Sequence, residues 1–354
     1  MCPLIMELQA RGKYNLKVAV TGQHKSILTS VLSEFGIVPD IDLKVGKIGQ
    51  SLSGLTAEVI MGMDAVIESL QPDFLLVHGD TTSALASALS AFYHSVKVAH
   101  VESGLRTYNP FLPFPEEFNR RAIDAISSLH LAPTEIARDA LIREGIDSRG
   151  IFTVGNTVID ALSMMLDSEF SHPVLEWSKG NRLIILTAHR RENWGEPIKS
   201  VFSAAKRLVR AYPDLRIILP VHPNPEVIRI AKSELSAENS VYLTSPLSVK
   251  EFHNILARSY AVITDSGGIQ EEASFLGKPL FITRSHTERS EIFRFGGARL
   301  VGCDADEIFT AVSAVLDSEE KYRVMATPAR IFGDGTASQK IADIFDAYFE
   351  RTSE

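Results

Sequence analysis

Short, continuous apolar runs alternate along the chain with longer stretches whose apolar residues return every third or fourth position. The first series of runs is "KVAVTG" (17–22), "FLLVHGD" (74–80), "VKVAHVESG" (96–104), "LHLAPT" (129–134) and "IFTVGN" (151–156). The second is "LIILTAHR" (183–190), "RIILPVHP" (216–223), "VYLTSP" (241–246), "AVITDSGG" (261–268) and "PLFITR" (279–284). Unbroken apolar character predicts parallel strands buried on both faces. Stretches such as "SALASALSAFYHSV" and "IKSVFSAAKRLVRAY" have helical spacing. Strand–helix alternation throughout predicts an α/β protein of doubly wound sheets. The opening "MCPLIMELQARG" departs from this pattern and reads as an amphipathic helix. A doubly wound domain opens on a strand whose following loop meets the ligand, so the first strand is expected to be missing.

At 354 residues, two domains are expected. The alternation breaks near 165–182, where "DSEFSHPVLEWSKG" is polar and carries Pro173 and Gly180. This predicts domains at 1–168 and 169–354, facing each other across a cleft. Ligands of such sheets bind beyond the carboxyl ends of the strands. Asp80, Glu102, His189, His222 and Ser266 all fall at such ends.

Composition narrows the class. The net charge of -8 argues against a general nucleic-acid binder, which shows a basic face. Cys2 and Cys303 lie in no metal-type or disulfide pattern. The N-terminal stretch lacks the features of a signal peptide, and no apolar run approaches the ~20 residues that span a bilayer. A cytoplasmic protein without membrane association is the expectation. None of the ten histidines falls in a metal-binding spacing, so neither metal nor other cofactor is expected.

Several stretches carry candidate chemistry. In "HGDTTSALASAL", Asp80, Thr81 and Thr82 are all able to cap the following helix, and Asp80 is equally a candidate acid or base. "HVESGLRTYNPFLPFPEEFNRR" places His100, Glu102 and Arg106 at a strand end and Glu116, Glu117, Arg120 and Arg121 at a helix start. Paired carboxylates such as Glu102 and Glu116 divide acid and base roles when their environments separate their pKa values. "TAHRRENWG" concentrates His189, Arg190 and Arg191 after a strand, which suits phosphate. "PVHPNP" leaves His222 as either a rigid turn or a cleft wall. In "TDSGGIQEE", Ser266, Gly267 and Gly268 form a turn before a helix, where free N–H groups and the dipole favour anions. Glu271 and Glu272 follow, either as solvated acids or, for one of them, as the partner of a ribose diol. Arg284, Arg289 and Arg294 follow the next strand, and Phe252 is a core aromatic or a stacking surface.

The stretches "LLVHGDTTS", "HVESGLRT", "FPEEFNR", "GNTVIDAL", "HRREN", "PVHPNP" and "TDSGGIQEEASFLGKP" resemble, in the same order, the non-hydrolysing UDP-N-acetylglucosamine 2-epimerase family, from Met1 to about residue 345. The resemblance implies the glycosyltransferase-B architecture, two Rossmann-like domains, with the final helix packing back on the N-terminal one. It implies reversible 2-epimerisation of UDP-N-acetylglucosamine to UDP-N-acetylmannosamine through a 2-acetamidoglucal intermediate, without metal or nicotinamide, by a homodimer. Asp80, Glu102 and Glu116 match the acid/base carboxylates, and His189 and Arg289 match groups near the diphosphate. Ser266, Gly267 and Gly268 match the phosphate turn, and Glu272 the ribose-binding acid. Phe252 and Leu247 match positions beside the uracil.

Two departures qualify this. The family's initial strand and GTRPEA-like loop, followed by a lysine, have no match here. A shortened chain or wrongly assigned start is the corresponding expectation, and with it an unstable or inactive protein. Gln23 and His24 match a second-substrate activator site, with His222 as a further remnant. Ser26 and Glu58 replace its glutamine and arginine, which argues against such activation. The alternatives left open are a 2-epimerase of a modified UDP-sugar, a hydrolysing epimerase, a glycosyltransferase and a non-catalytic nucleotide-sugar binder.

Overall fold

A computed structural model describes residues 1–22, 25–46, 49–190 and 193–352. The chain divides into two compact units, Met1–Ala161 with Phe332–Glu354, and Leu162–Ile331.

The first unit contains strands β1 (Ala19–Val20), β2 (Ile41–Asp42), β3 (Phe74–His78), β4 (Lys97–Val101), β5 (Leu129–Ala132) and β6 (Ile151–Thr153). β3 to β6 form one parallel sheet in chain order, and β1 pairs with β2 as a separate parallel ribbon. Among the described residues no backbone ladder joins the two. A cavity of about 1280 Å³ is lined by Val18 and Val20, by Leu75 and Val77, and by Leu8 and Phe345. Apolar side chains facing a void forgo the dispersion contacts that stabilise a packed core.

Elsewhere this unit packs closely. The Leu52–Leu70 and Thr82–Tyr93 helices meet through Leu55, Val59 and Met63 on one side and Ala84, Leu85 and Ala88 on the other. The Cys2–Arg11 helix matches the sequence reading. Pro3 occupies its first turn, where a missing N–H costs nothing, and Gly12 ends it in the left-handed region. Its Leu4 and Leu8 join Ile341, Ala342 and Phe345 of the Ala337–Thr352 helix in one core cluster.

The second unit holds β7 (Arg182–Thr187), β8 (Leu215–Pro220), β9 (Val241–Thr244), β10 (Ala261–Thr264), β11 (Leu280–Ile282) and β12 (Ala298–Leu300) in one parallel sheet ordered β12-β11-β10-β7-β8-β9. This is the doubly wound order, in which the chain starts in the middle, builds outward one way, then returns and builds the other. β7 and β10 are buried along nearly their whole length, the physical reason their sequences read as unbroken apolar runs.

All ten strands expected from the apolar runs are present. Two more are not legible in the sequence. β2 has two residues, and β12 is a sheet edge whose Arg299 and Leu300 are exposed, so neither supplies an apolar run. Among the described residues no helix is long and apolar enough to cross a membrane.

Candidate active site

In the second unit, strand order reverses between β7 and β10, which pair directly in parallel. The loops after two such strands diverge and leave room for a ligand at their carboxyl ends. His189 follows β7, and Ser266, Gly267 and Gly268 follow β10. Both loops are tied to one residue, Asp265, which is completely buried. Its Oδ2 accepts from the backbone N–H groups of His189 and Arg190, each at 2.9 Å, and from Asn193 Nδ2 at 3.1 Å. Its Oδ1 lies 2.8 Å from His189 Nδ1. Burial pushes the Asp265 carboxyl up, but His189 and the two backbone donors outweigh this and hold it below the usual range. An ionised Asp265 requires Nδ1 to donate, which fixes the histidine tautomer and leaves Nε2 on a side chain that is 40% exposed.

Ser266 is the N-cap of the Gly267–Phe275 helix. The first N–H groups of a helix have no intrahelical acceptor, and the dipole there favours an anion. Gly267 is required by crowding. A Cβ built on it would meet Arg289 Nη1 at 2.5 Å, while one on Gly268 meets nothing within 4 Å. Arg289 is therefore packed against the glycine turn. Its guanidinium is buried, with Nε 2.6 Å from Glu271 Oε1 and Nη1 bonded to Glu288. Glu288 is bonded in turn to Arg284 at 3.1 Å.

The two glutamates of "GIQEE" are not solvated acids; both are buried. Glu271 pairs with Arg289. Glu272 Oε1 lies 3.1 Å from His253 Nε2, whereas its buried Oε2 has no hydrogen-bond partner among the described residues. An orphaned buried carboxylate oxygen is costly unless a ligand donates to it. Phe252 and Leu247 are half-buried around the start of the Val249–Arg258 helix, which Ser248 and Glu251 close with a capping box. Arg294 is exposed.

In the first unit, the carboxyl ends of neighbouring β3 and β4 carry His78, Asp80 and Glu102. The helix that follows Asp80 is capped by Thr81, whose Oγ1 accepts from Ala84 N–H at 3.1 Å. Asp80 is thus released from capping. Its carboxylate accepts from Arg120, at 3.0 Å from Nε and again from Nη2, and its carbonyl accepts from Asn119 Nδ2 at 2.8 Å. Both donors come from the Glu116–Ile126 helix. Glu116 precedes them by three and four positions and shares their helix face. Glu117, in contrast, points inward, where it accepts from Thr107 and Tyr108 N–H groups and shapes the loop. Glu102 has φ +68°, a conformation that costs a non-glycine residue about 1–3 kcal/mol and clusters at functional sites. His78 Nε2 lies 3.0 Å from its Oε2.

The structure therefore brings together Asp80 and Glu102 in one unit and His189, Ser266, Gly267, Gly268, Glu272 and Arg289 in the other. His222 is elsewhere engaged, its Nδ1 accepting from Asn224 N–H at 3.2 Å in a turn beside Trp194. Gln23, His24 and Arg191 lie outside the described residues. Asp265, His253, Asn119 and His78 escaped the sequence reading, although Asp265 sits inside the "TDSGG" turn. A carboxylate placed among turn amides was the available signal. Asp64, Glu68 and His94 offer ligand-type atoms within 4.8 Å of one another on partly exposed helix surfaces.

A family model described as UDP-N-acetylglucosamine 2-epimerase matches residues 6–346. The chain is 43% identical over 343 residues to the UDP-N-acetylglucosamine 2-epimerase of Bacillus subtilis (strain 168), covering 97% of this chain and 90% of that one. Among solved structures it resembles a putative UDP-N-acetylglucosamine 2-epimerase from Listeria monocytogenes, with TM-score 0.97, 41% identity, and coverage of 99% and 93%. It also resembles the Neisseria meningitidis UDP-GlcNAc 2-epimerase bound to UDP-GlcNAc, with TM-score 0.93, 38% identity, and coverage of 98% and 95%. These neighbours share the architecture of two parallel-sheet α/β units, the glycosyltransferase-B-like arrangement implied by the sequence motifs. With the model match spanning nearly the whole chain, this protein belongs to the UDP-N-acetylglucosamine 2-epimerase family.

Proposed function

We propose that the chain interconverts UDP-N-acetylglucosamine and UDP-N-acetylmannosamine without net hydrolysis. The observation that carries this reading is the donor and acceptor set of the second unit. A helix N-terminus packed against Arg289 suits a diphosphate, and the unsatisfied Glu272 Oε2 suits a ribose hydroxyl. Phe252 and Leu247 flank the uracil in this reading. The Neisseria relative bound to UDP-GlcNAc supports the choice of nucleotide sugar.

The chemistry is assigned to the carboxylates of the first unit. One of Asp80, Glu102 and Glu116 removes the proton at sugar C2. The C–H electrons form a C1=C2 double bond, the C1–O bond breaks, and UDP leaves with that electron pair. His189 and Arg289 stabilise the charge growing on the diphosphate. A carboxylate returns a proton to the opposite face of C2 of the 2-acetamidoglucal, and UDP re-adds at C1. Arg120 holds the Asp80 carboxylate in place through its Nε and Nη2 donors. The left-handed conformation of Glu102 aims its side chain differently from the strand residues before it. By the same reading the protein is a cytoplasmic homodimer whose product feeds polysaccharide synthesis.

Incubation with UDP-N-acetylglucosamine, followed by chromatography and phosphorus NMR, tests the proposal. Two UDP-sugars in constant ratio are expected. Accumulation of UDP with free N-acetylmannosamine would assign the chain to the hydrolysing reaction. Tight UDP binding with neither product would make it a binding protein.

A further inference from the structure

Beneath the Asp80 turn lies a buried chain of ionisable side chains that the proposed reaction does not use. His100, in β4, is fully buried. Its Nε2 is 2.8 Å from the Gly79 carbonyl oxygen, and its Nδ1 is 2.6 Å from Asp124 Oδ1. A carbonyl oxygen only accepts, so Nε2 carries a hydrogen.

The state of Nδ1 follows from Asp124. That carboxylate is 1% exposed. Its Oδ2 lies 2.7 Å from Arg106 Nη2 and accepts from Gly104 N–H at 3.3 Å, and His130 Nδ1 is 3.6 Å from Oδ1. Burial works to raise its pKa, but His100, His130 and Arg106 reverse this and hold the carboxyl well below the usual range. A carboxylate only accepts, so Nδ1 carries a hydrogen as well. Arg106 is bonded in turn to Glu144, with Nε at 3.0 Å and Nη2 at 2.8 Å, and Arg121 reaches Glu144 at 3.7 Å. The groups alternate in sign along the chain, the arrangement that makes burial of charge tolerable.

Gly79 is held to β4 from both sides. Its N–H donates to the Val101 carbonyl at 2.9 Å, and its carbonyl accepts from His100. Its φ of +65° turns the chain toward Asp80. Glu102 follows His100 by two residues, with its own N–H bonded to Leu131 O at 3.1 Å.

We propose that His100 is a positioning residue, a doubly protonated imidazolium clamped by Asp124, which pins the Gly79 carbonyl and thereby sets the directions of the Asp80 and Glu102 carboxylates. The positioning role rests on the proposed assignment of those carboxylates to sugar chemistry; the charge state does not.

Two measurements on the full chain test this. The first is side-chain nitrogen–proton NMR on wild-type protein labelled at histidine, with the His100 ring signals identified by through-bond correlation to its own backbone amide. Two ring N–H signals are expected; a single N–H with one unprotonated ring nitrogen would overturn the assignment. The second compares two variants. In His100→Gln the amide nitrogen stands near Nε2 and still reaches Gly79. In His100→Asn it stands near Nδ1 and reaches only Asp124. Turnover in His100→Asn is expected to fall about 10- to 100-fold, the scale of lost orientation, with KM changed less than about threefold and partial recovery in His100→Gln. UDP affinity by calorimetry is expected to be unchanged in both. Equal turnover in the two variants, or a KM that rises as much as kcat falls, would refute positioning. If neither variant folds, the wild-type NMR result decides. If the wild-type chain shows no epimerisation, the functional reading fails while the charge state is still measured.

Discussion

Replacing Gly267 by alanine adds one methyl group at the point where the proposed phosphate turn meets Arg289. The added Cβ would lie 2.5 Å from Nη1, 2.8 Å from Cζ and 3.1 Å from Glu288 Oε1. The Gly267 backbone is helical, so no dihedral strain enters. A clash with the end of a mobile arginine would be relieved by rotation. Here the guanidinium is buried and bonded to both Glu271 and Glu288, so relief requires breaking one of those pairs or moving the turn. Overpacking of this kind costs about 1–3 kcal/mol. In the proposed reading the displaced guanidinium also loses a hydrogen bond to the diphosphate, a charged contact worth about 1.5–3 kcal/mol. At 1.4 kcal/mol per decade, UDP affinity is expected to fall about 10- to 100-fold. Calorimetry with UDP reads the affinity, and thermal unfolding without ligand reads the packing cost. Gly268→Ala is the comparison, since its Cβ meets no protein atom within 4 Å. It is expected to retain the wild-type Tm while weakening UDP through its projection into ligand space. Wild-type UDP affinity in Gly267→Ala would refute the placement of the diphosphate at this turn.

Four further outcomes are expected. Asp80→Asn, Glu102→Gln and His189→Ala each lower turnover by at least about 10²-fold, the scale of acid–base contributions, and near-normal turnover in the Glu102 variant would remove it from the reaction. Glu272→Gln weakens UDP by about 10-fold, in keeping with loss of a charged hydrogen bond, and calorimetry with 2′-deoxy-UDP and 3′-deoxy-UDP shows the variant discriminating less than the wild type. Asp265 is held below its ordinary pKa in the fold, so its contribution to stability is complete above about pH 4 and is lost as pH falls through the lower folded value. Asp265→Asn is accordingly less stable at neutral pH and flatter below pH 4 in denaturant titrations; a parallel, undiminished slope would contradict the assignment. Amide hydrogen exchange is expected to be faster in β1 and β3, which border the cavity, than in β7 and β8 inside the six-stranded sheet, and equal protection would contradict the looser packing around the cavity.

The parts of the fold legible in the sequence are those where burial acts on both faces of an element. β7 and β10 are such strands, and their apolar runs fix their place and type. β12 escapes because its edge position frees Arg299 and Leu300 from any apolar requirement. The candidate site divides along similar lines. Gly267 and Gly268 were legible as a turn because glycine before a helix has few other reasons. The different demands on them were not, since only Gly267 is crowded, by a side chain more than twenty positions later. Asp80 remained ambiguous between cap and acid until Thr81 was seen to take the cap. Glu271 and Glu272 stood open between solvated acids and a ribose partner, because two adjacent acids seldom both find buried partners. Arg289 and His253 supply those partners from distant segments. Asp265 and His100 act through contacts of long sequence separation, and no local pattern announces a carboxylate whose donors His189, Arg190 and Asn193 all come from the loop after another strand.

In the proposed reaction a proton leaves C2 while the nucleotide is expelled and recaptured. Proton NMR of UDP-N-acetylglucosamine incubated with the protein in deuterated water measures this directly. Deuterium is expected to enter at C2 of both UDP-sugars as they interconvert, with the UDP linkage retained. Interconversion with hydrogen kept at C2, or deuterated N-acetylmannosamine released as the free sugar, would contradict it.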